Sequence, residues 1–279
     1  MPSYNTGQLL KGVRVRKNLP RKSVIEASGS SDTSMSNIEN GAQLPKDKAF
    51  RSHLNTLGIK DVGGFSPYFT NQTFEMLPIR WQILDSIKNE KPERAKALLK
   101  VLEKDNSFQG GVNLQFVRSC YAQLALLENR ADDALVHYIT EALHLTFPEF
   151  DENKFMAQTL IYEEPYLIHM LAETHRGLGQ PDKALRLLNS LQGSIEPSPI
   201  DNYVKQEVLP AIMLDKARIL IEKGEFIDAV PLCGEGITAS IKWNRGKDVP
   251  HLLYEKAVCL KQLRKNKQCA ALLRQAYAC

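Results

Sequence analysis

Four pairs of small residues set twelve positions apart restrict most strongly what this chain can fold into: Ala122 and Ala134, Ala172 and Ala184, Ala217 and Ala229, Ala257 and Cys269. Between the members lie turn-forming or polar segments, namely Glu128-Asn129-Arg130, Gly179-Gln180-Pro181, Lys223-Gly224-Glu225 and Arg264-Lys265-Asn266. Two antiparallel helices joined by a short turn approach closely where small side chains face each other. The second helix of each pair agrees with this. Ala184, Leu187, Leu188 and Leu191 follow the i, i+3, i+4, i+7 spacing of one helical face. Ala95, Leu98, Leu99 and Leu102 repeat it in an earlier unit whose first helix holds Trp81 and Ile83.

The arrangement is that of tetratricopeptide (TPR) repeats, here with extended helices. The second-helix residues Ala95, Ala134, Ala184, Ala229 and Cys269 are spaced by 39, 50, 45 and 40 residues, against a consensus period of roughly 34. Five stacked pairs predict a right-handed solenoid whose concave face can hold an extended peptide or a helix. The last pair ends at Cys279 without an obvious capping helix, so that helix or a dimer partner is expected to cover the end.

The first 59 residues have a different character. They hold nine Lys/Arg against four acids, whereas the remaining residues hold 27 against 28. A small basic head on a near-neutral body places any contact with a polyanion on the head. A first helix is predicted over Thr6 to Lys17, with Leu9, Leu10 and Val13 inward and Arg14, Arg16 and Lys17 outside the stripe. Asn18 ends it, and Pro20 introduces a second helix from Arg21 to Ala27 with Val24 and Ile25 inward. After the turn Gly29-Ser30-Ser31, a third helix is predicted from an N-cap at Thr33 to a left-handed stop at Gly41. Met35 and Ile38 share its buried face, while Glu39 is assigned to packing and internal hydrogen bonding. Thr33, Ser34 and Asn37 are left free for a partner. Phe50, Leu54 and Leu57 mark a fourth helix, and the head closes near Gly58. The expected architecture is therefore all-α: a four-helix helix-turn-helix domain over 1–59, a linker over 60–71 and a TPR-like helical domain over 72–279.

Gly7-Gln8-Leu9-Leu10, the basic run Arg14 to Lys17, Leu19, Ser36-Asn37-Ile38-Glu39-Asn40-Gly41 and Leu57-Gly58-Ile59 resemble the DNA-binding domain of the XRE family, the phage-repressor/Cro type. The second helix departs from that pattern, with Pro20 and Arg21 where the family often has Ser or Thr followed by Gln. The resemblance implies that Thr33, Ser34 and Asn37 lie at base edges in the major groove, with Asn40 and Arg21 towards the backbone. Phosphate neutralisation is assigned to Arg14, Arg16, Lys17, Arg21 and Lys22. Ala142-Leu143-His144-Leu145-Thr146-Phe147-Pro148, the tract from Glu164 to Gly179 and the span Asp215 to Leu273 extend the likeness over the body. They are similar to TPR-containing regulators of the Rgg and PlcR type, whose TPR halves dimerise and bind short signalling peptides. The implied protein is a homodimeric transcriptional regulator that binds double-stranded DNA and senses a peptide or protein partner. The alternative from another class is a TPR adaptor with a non-reading head.

Other classes find little support. No apolar run approaches the roughly 18 residues of a membrane span, and the N-terminus lacks the layout of a signal peptide, so a cytoplasmic protein is expected. The five cysteines include no Cys-x-x-Cys pair; apart from Cys279 they are expected to be buried apolar residues, with no zinc site or disulfide framework. Nucleotide-cradling, hydrolase-elbow and zinc-protease motifs are missing, so no enzyme, cofactor or metal is expected. The histidines show no ligand spacing. Asp132-Asp133 and Glu163-Glu164 are read as helix-start acids. For a partner on the body, the first helices offer Gln115, Arg118, Tyr166, His169, Asn202, Gln206, Arg218 and Tyr254.

Overall fold

The computed structural model describes residues 6–43, 45–57, 71–161, 163–197, 202–242 and 246–278. These residues form fourteen α-helices and no strand. The expected boundary at Gly58 and nearly all of the 60–71 linker fall outside the described residues.

The head comprises α1 (Thr6–Arg16), α2 (Arg21–Ser28), α3 (Asp32–Glu39) and α4 (Asp47–Thr56). Its core is made by residues the helical periodicity selects: Leu10, Val13, Val24, Met35, Ile38, Phe50, Leu54 and Leu57 are all at most 2% exposed, with Ile25 packed beside them; Leu9, also expected inward, has no described side chain. One further core residue, Ile161, comes from the body.

The body comprises five helix pairs: α5 (Asn71–Lys88) with α6 (Pro92–Leu102), α7 (Gly111–Leu127) with α8 (Asp133–His144), α9 (Glu164–Gly177) with α10 (Pro181–Ile195), α11 (Asn202–Glu222) with α12 (Phe226–Lys242), and α13 (Val249–Gln262) with α14 (Asn266–Ala278). Every pair turns on the same cap. Glu90, Asn129, Gly179, Gly224 and Arg264 each adopt a left-handed conformation. The N–H of the residue after each one reaches back to a carbonyl of the preceding helix: Lys91 to Ser86, Arg130 to Ala125, Gln180 to His175, Glu225 to Leu220 and Lys265 to Leu260, at 2.8–2.9 Å. This is the Schellman arrangement, which satisfies the last carbonyls and reverses the chain.

The small-residue pairing holds in three of the four predicted places, where Ala172 and Ala184, Ala217 and Ala229, and Ala257 and Cys269 are buried. The first place needs correction. Ala122 is buried but Ala134 is exposed, and Leu135 takes the inward position. The turn between α7 and α8 covers 128–132, two residues longer than the three-residue turns elsewhere. Asp132 caps α8 by accepting from the Leu135 N–H at 2.7 Å, and this later start moves the register. The long interval between the second and third units is filled by a loop packed on its own aromatics. Phe147 meets Phe150 edge-on at 5.4 Å, and Phe150 lies 5.7 Å from Phe155.

Candidate nucleic-acid interface and the faces behind it

Helix α3 begins two residues earlier than the sequence suggests. Ser31, not Thr33, is the N-cap: its extended backbone lets Oγ accept from the Ser34 N–H at 3.1 Å, with Asp32 following in the first turn. Ser30 Oγ lies 3.2 Å from His53 Nε2, which ties the turn to α4. Burial holds the His53 imidazole below its ordinary pKa against the opposing charge of Glu39. At the other end Gly41 is left-handed, as expected, and the Ala42 N–H donates to the Asn37 carbonyl at 2.8 Å.

Two faces of α3 separate cleanly. Met35 and Ile38 enter the core, and Glu39 joins them at 2% exposure, held by the Arg14 guanidinium from Nε to Oε1 at 2.6 Å and from Nη2 to Oε2 at 2.9 Å. Arg14 Nη1 donates to the Leu19 carbonyl at 2.9 Å. Opposite these, Thr33, Asn37 and Asn40 are exposed and share one helical face, with Ser34 half-buried beside it. Asn40 closes the helix, its amide 3.5 Å from Ser36 Oγ. Arg21 stands at the start of α3, its Nε 3.1 Å from Asp32 Oδ1. Thr33, Asn37 and Asn40 thus share one exposed face of α3 with Ser34 half-buried beside it, while Arg21 is held at the helix start by the acid Asp32.

Two of the assigned phosphate contacts are corrected. Arg14 is engaged by Glu39, and Arg16 points away from that surface into the body. Its Nη1 donates to Glu164 Oε2 at 2.8 Å and to the Thr159 carbonyl at 3.1 Å; Nη2 lies 3.2 Å from the Thr146 carbonyl. The guanidinium carbon stands 4.4 Å from the Phe147 ring centroid. Glu164, fully buried, also accepts from Thr146 Oγ1 at 2.7 Å and from the Ile161 N–H at 2.9 Å. Around this pair α1 lies directly on the 157–161 strap, so that a Cβ on Gly12 would come within 2.4 Å of Thr159 Cγ2. A guanidinium reads as solvated in sequence because its acidic partner is invisible there; here the partner lies 148 positions away.

The first helices of the third, fourth and fifth pairs carry a second polar assembly. His169 Nε2 lies 2.9 Å from Asp215 Oδ2, with Glu173 on its other side. Arg176 and Arg218 approach Asp215 Oδ1 at 3.5 and 3.6 Å, and Arg218 Nε donates to Glu255 at 3.0 Å. Burial alone would lower the His169 pKa, but the Glu173 charge and the Asp215 contact outweigh it and carry it up to about 9. His169, Glu173 and Asp215 could together present metal ligands. Two guanidiniums on the Asp215 carboxylate instead make this a saturated ion-pair network, unfavourable to a further cation. Of the other first-helix residues, Gln115 is buried and donates to the Ala142 carbonyl and Thr146, Tyr166 donates to Glu207, Arg118 pairs with Glu141, and Tyr254 is exposed. Asn202 has no described side chain.

No protein-family model matches the chain, and no curated protein matches it. Solved structures do. PlcR of Bacillus thuringiensis, in complex with the peptide PapR7 and DNA, superposes with a TM-score of 0.62 at 16% identity, over 99% of this chain and 95% of that one. The same protein in its apo form gives 0.57 at 16%, over 97% and 92%. No helix is long and apolar enough to cross a membrane, among the described residues. At this identity the likeness is one of fold, and it covers helix-turn-helix head and repeat body together: the chain is an all-α head followed by a TPR-like helical solenoid.

Proposed function

We propose that the protein is a sequence-specific DNA-binding transcriptional regulator of the XRE type, active as a homodimer, with Thr33, Ser34 and Asn37 at base edges and Arg21 and Asn40 at the backbone. The observation that carries this reading is α3 itself: one face is locked into the head through Met35, Ile38 and the Arg14–Glu39 pair, while the opposite face presents Thr33, Asn37 and Asn40 to solvent. A rigid helix with a polar outer face is what major-groove readout requires, since an amide can pair bidentately with adenine and hydroxyls are permissive partners. The whole-chain likeness to a protein solved with both a peptide and DNA supports it. The ion-pair network of α9, α11 and α13 is the part of the body suited to sensing a peptide or protein, because charged groups there hold one another and can exchange partners. Neither the motifs nor the structural likeness points to an enzyme.

The test is fluorescence anisotropy of the full chain on DNA tiled across its own upstream region at two salt concentrations, with Thr33, Ser34 and Asn37 replaced by Ala in a parallel sample. Tight, salt-sensitive binding to one tile, lost in the triple variant, supports the regulator. Equal weak binding to every tile, unchanged by the substitutions, leaves the adaptor reading. That second reading has one observation in its favour: Arg14 and Arg16 serve the fold rather than a polyanion.

A further inference from the structure

Helix α12 differs from the other second helices of the body in what it shows to solvent. Ile227, Pro231, Gly234, Thr238 and Ile241 recur at i, i+4, i+7, i+11 and i+14 and share its outer face. Ile227 is 72% and Ile241 68% exposed. At the position equivalent to Ile227, two before the inward small or apolar residue, each of the other second helices carries charge, namely Glu93, Asp133, Asp182 and Lys267. An uncharged apolar face on one repeat of five is not explained by the repeat itself.

The two glycines of α12 separate internal from external demands. Gly236 is buried, and a Cβ there would stand 2.8 Å from Leu252 Cδ2, so packing against α13 requires it. Gly234 lies on the outer face, where a Cβ would meet nothing closer than Lys256 Nζ at 3.4 Å. Glycine in a helix interior is a poorer choice than alanine, and nothing among the described residues calls for it at 234. It does allow a second backbone to come close.

The charges beside Gly234 indicate what that second backbone is. Helix α13 flanks one side of the face, where Val230 packs against Ala257 and Leu260 and where Lys256 reaches Gly234. Glu235 lies one residue round the helix on the opposite side and is exposed. Neither Glu235 nor Lys256 forms an ion pair among the described residues. A two-fold axis across the helices would set like against like, whereas one along them brings Glu235 of each copy to Lys256 of the other. The face is therefore complementary to itself in charge, with isoleucines at both ends and a glycine at the point of closest approach.

We propose that this face is where a second copy of the chain docks, α12 against α12, about a two-fold axis running along the helices past Gly234. The proposal rests on the homodimer reading and supplies its interface. The test is sedimentation equilibrium of the full chain across a wide concentration range. The variants are Ile227→Asp with Ile241→Asp, Glu235→Lys, Lys256→Glu and the last two combined, with helical circular dichroism recorded for each. The expected result is a dimeric parent, a folded monomer for the double Asp variant, roughly tenfold weaker association for each single reversal and recovery in the combined reversal. A parent dimer that all the variants leave unchanged overturns the interface and keeps the homodimer, and weakening without recovery overturns the axis. A parent monomer throughout, with or without DNA, overturns the homodimer and this proposal together.

Discussion

Arg14 and Glu39 stand 25 positions apart in the chain and meet through two hydrogen bonds, at 2.6 and 2.9 Å, beneath helix α3. Their side chains are 12% and 2% exposed, so the pair is screened little by water. Arg14 also caps the chain at Leu19, which makes one guanidinium the joint between α1, the turn after it and the helix proposed to read DNA. Substituting Glu39 by Ala leaves a nearly buried cation without its partner, and the expected cost is about 3 kcal/mol of stability. Chemical denaturation followed by circular dichroism measures it. A loss below about 0.5 kcal/mol means that the pair does not brace the head.

Asp32 sits at the start of α3 with Arg21 3.1 Å away, on the surface where phosphates are expected. The acid favours the helix dipole but repels DNA and occupies Arg21. Substituting Asp32 by Asn removes one negative charge and releases the guanidinium. DNA affinity at low salt is then expected to rise several-fold, with a steeper dependence on salt. Anisotropy titrations at two salt concentrations measure both. An unchanged affinity and slope place Arg21 and Asp32 away from the phosphates.

Much of the fold was legible from periodicity alone. The apolar stripes of the four head helices name its core, and three of the four twelve-residue pairs close as expected, because short-range spacing is written directly in sequence. What escaped was long-range or depended on a cap. Ala134 missed its place because Asp132 captured the start of α8, and Thr33 lost the N-cap because Ser31 Oγ reaches the Ser34 N–H first. Arg14 and Arg16 looked like free cations for want of any signal that Glu39 and Glu164 lie beside them. The surface formed by Thr33, Asn37 and Asn40 needed only helical geometry, whereas the acid next to it needed the folded turn. One signal for the repeat went unread: a residue able to adopt left-handed geometry follows each first helix, and Asn129, Gly179 and Gly224 are the types that do so most easily.

The Arg16–Glu164 pair fastens the head to the body. Replacing Glu164 by Gln removes the charge from a buried pair whose carboxylate accepts from Arg16, Thr146 and Ile161. It is expected to loosen α1 from the 157–161 strap more than it disturbs either part. Hydrogen exchange of α1 and of Ile161, at the edge of the head core, checks this. The double replacement of Arg16 and Glu164 by Met removes both charges together and is expected to restore much of the stability that the single Glu164 change loses. Strictly additive losses show that the two side chains act independently.

His169 gives the body a defined response to alkali. In the fold its imidazolium is held by Glu173 and Asp215, which raise its pKa to about 9, against an ordinary value near 6.5 in the unfolded chain. The folded state therefore binds the proton more tightly than the unfolded state does. The resulting stabilisation is fully present below about pH 6.5, declines as the pH rises and is lost once it passes about 9. Replacing His169 by Gln removes this proton while keeping a side chain able to donate to Asp215. Thermal midpoints of the parent and the variant are expected to differ most near pH 6 and to converge above pH 9, with the parent the more stable at the lower pH. Parallel curves across that range show that the imidazolium contributes nothing to holding α9 against α11.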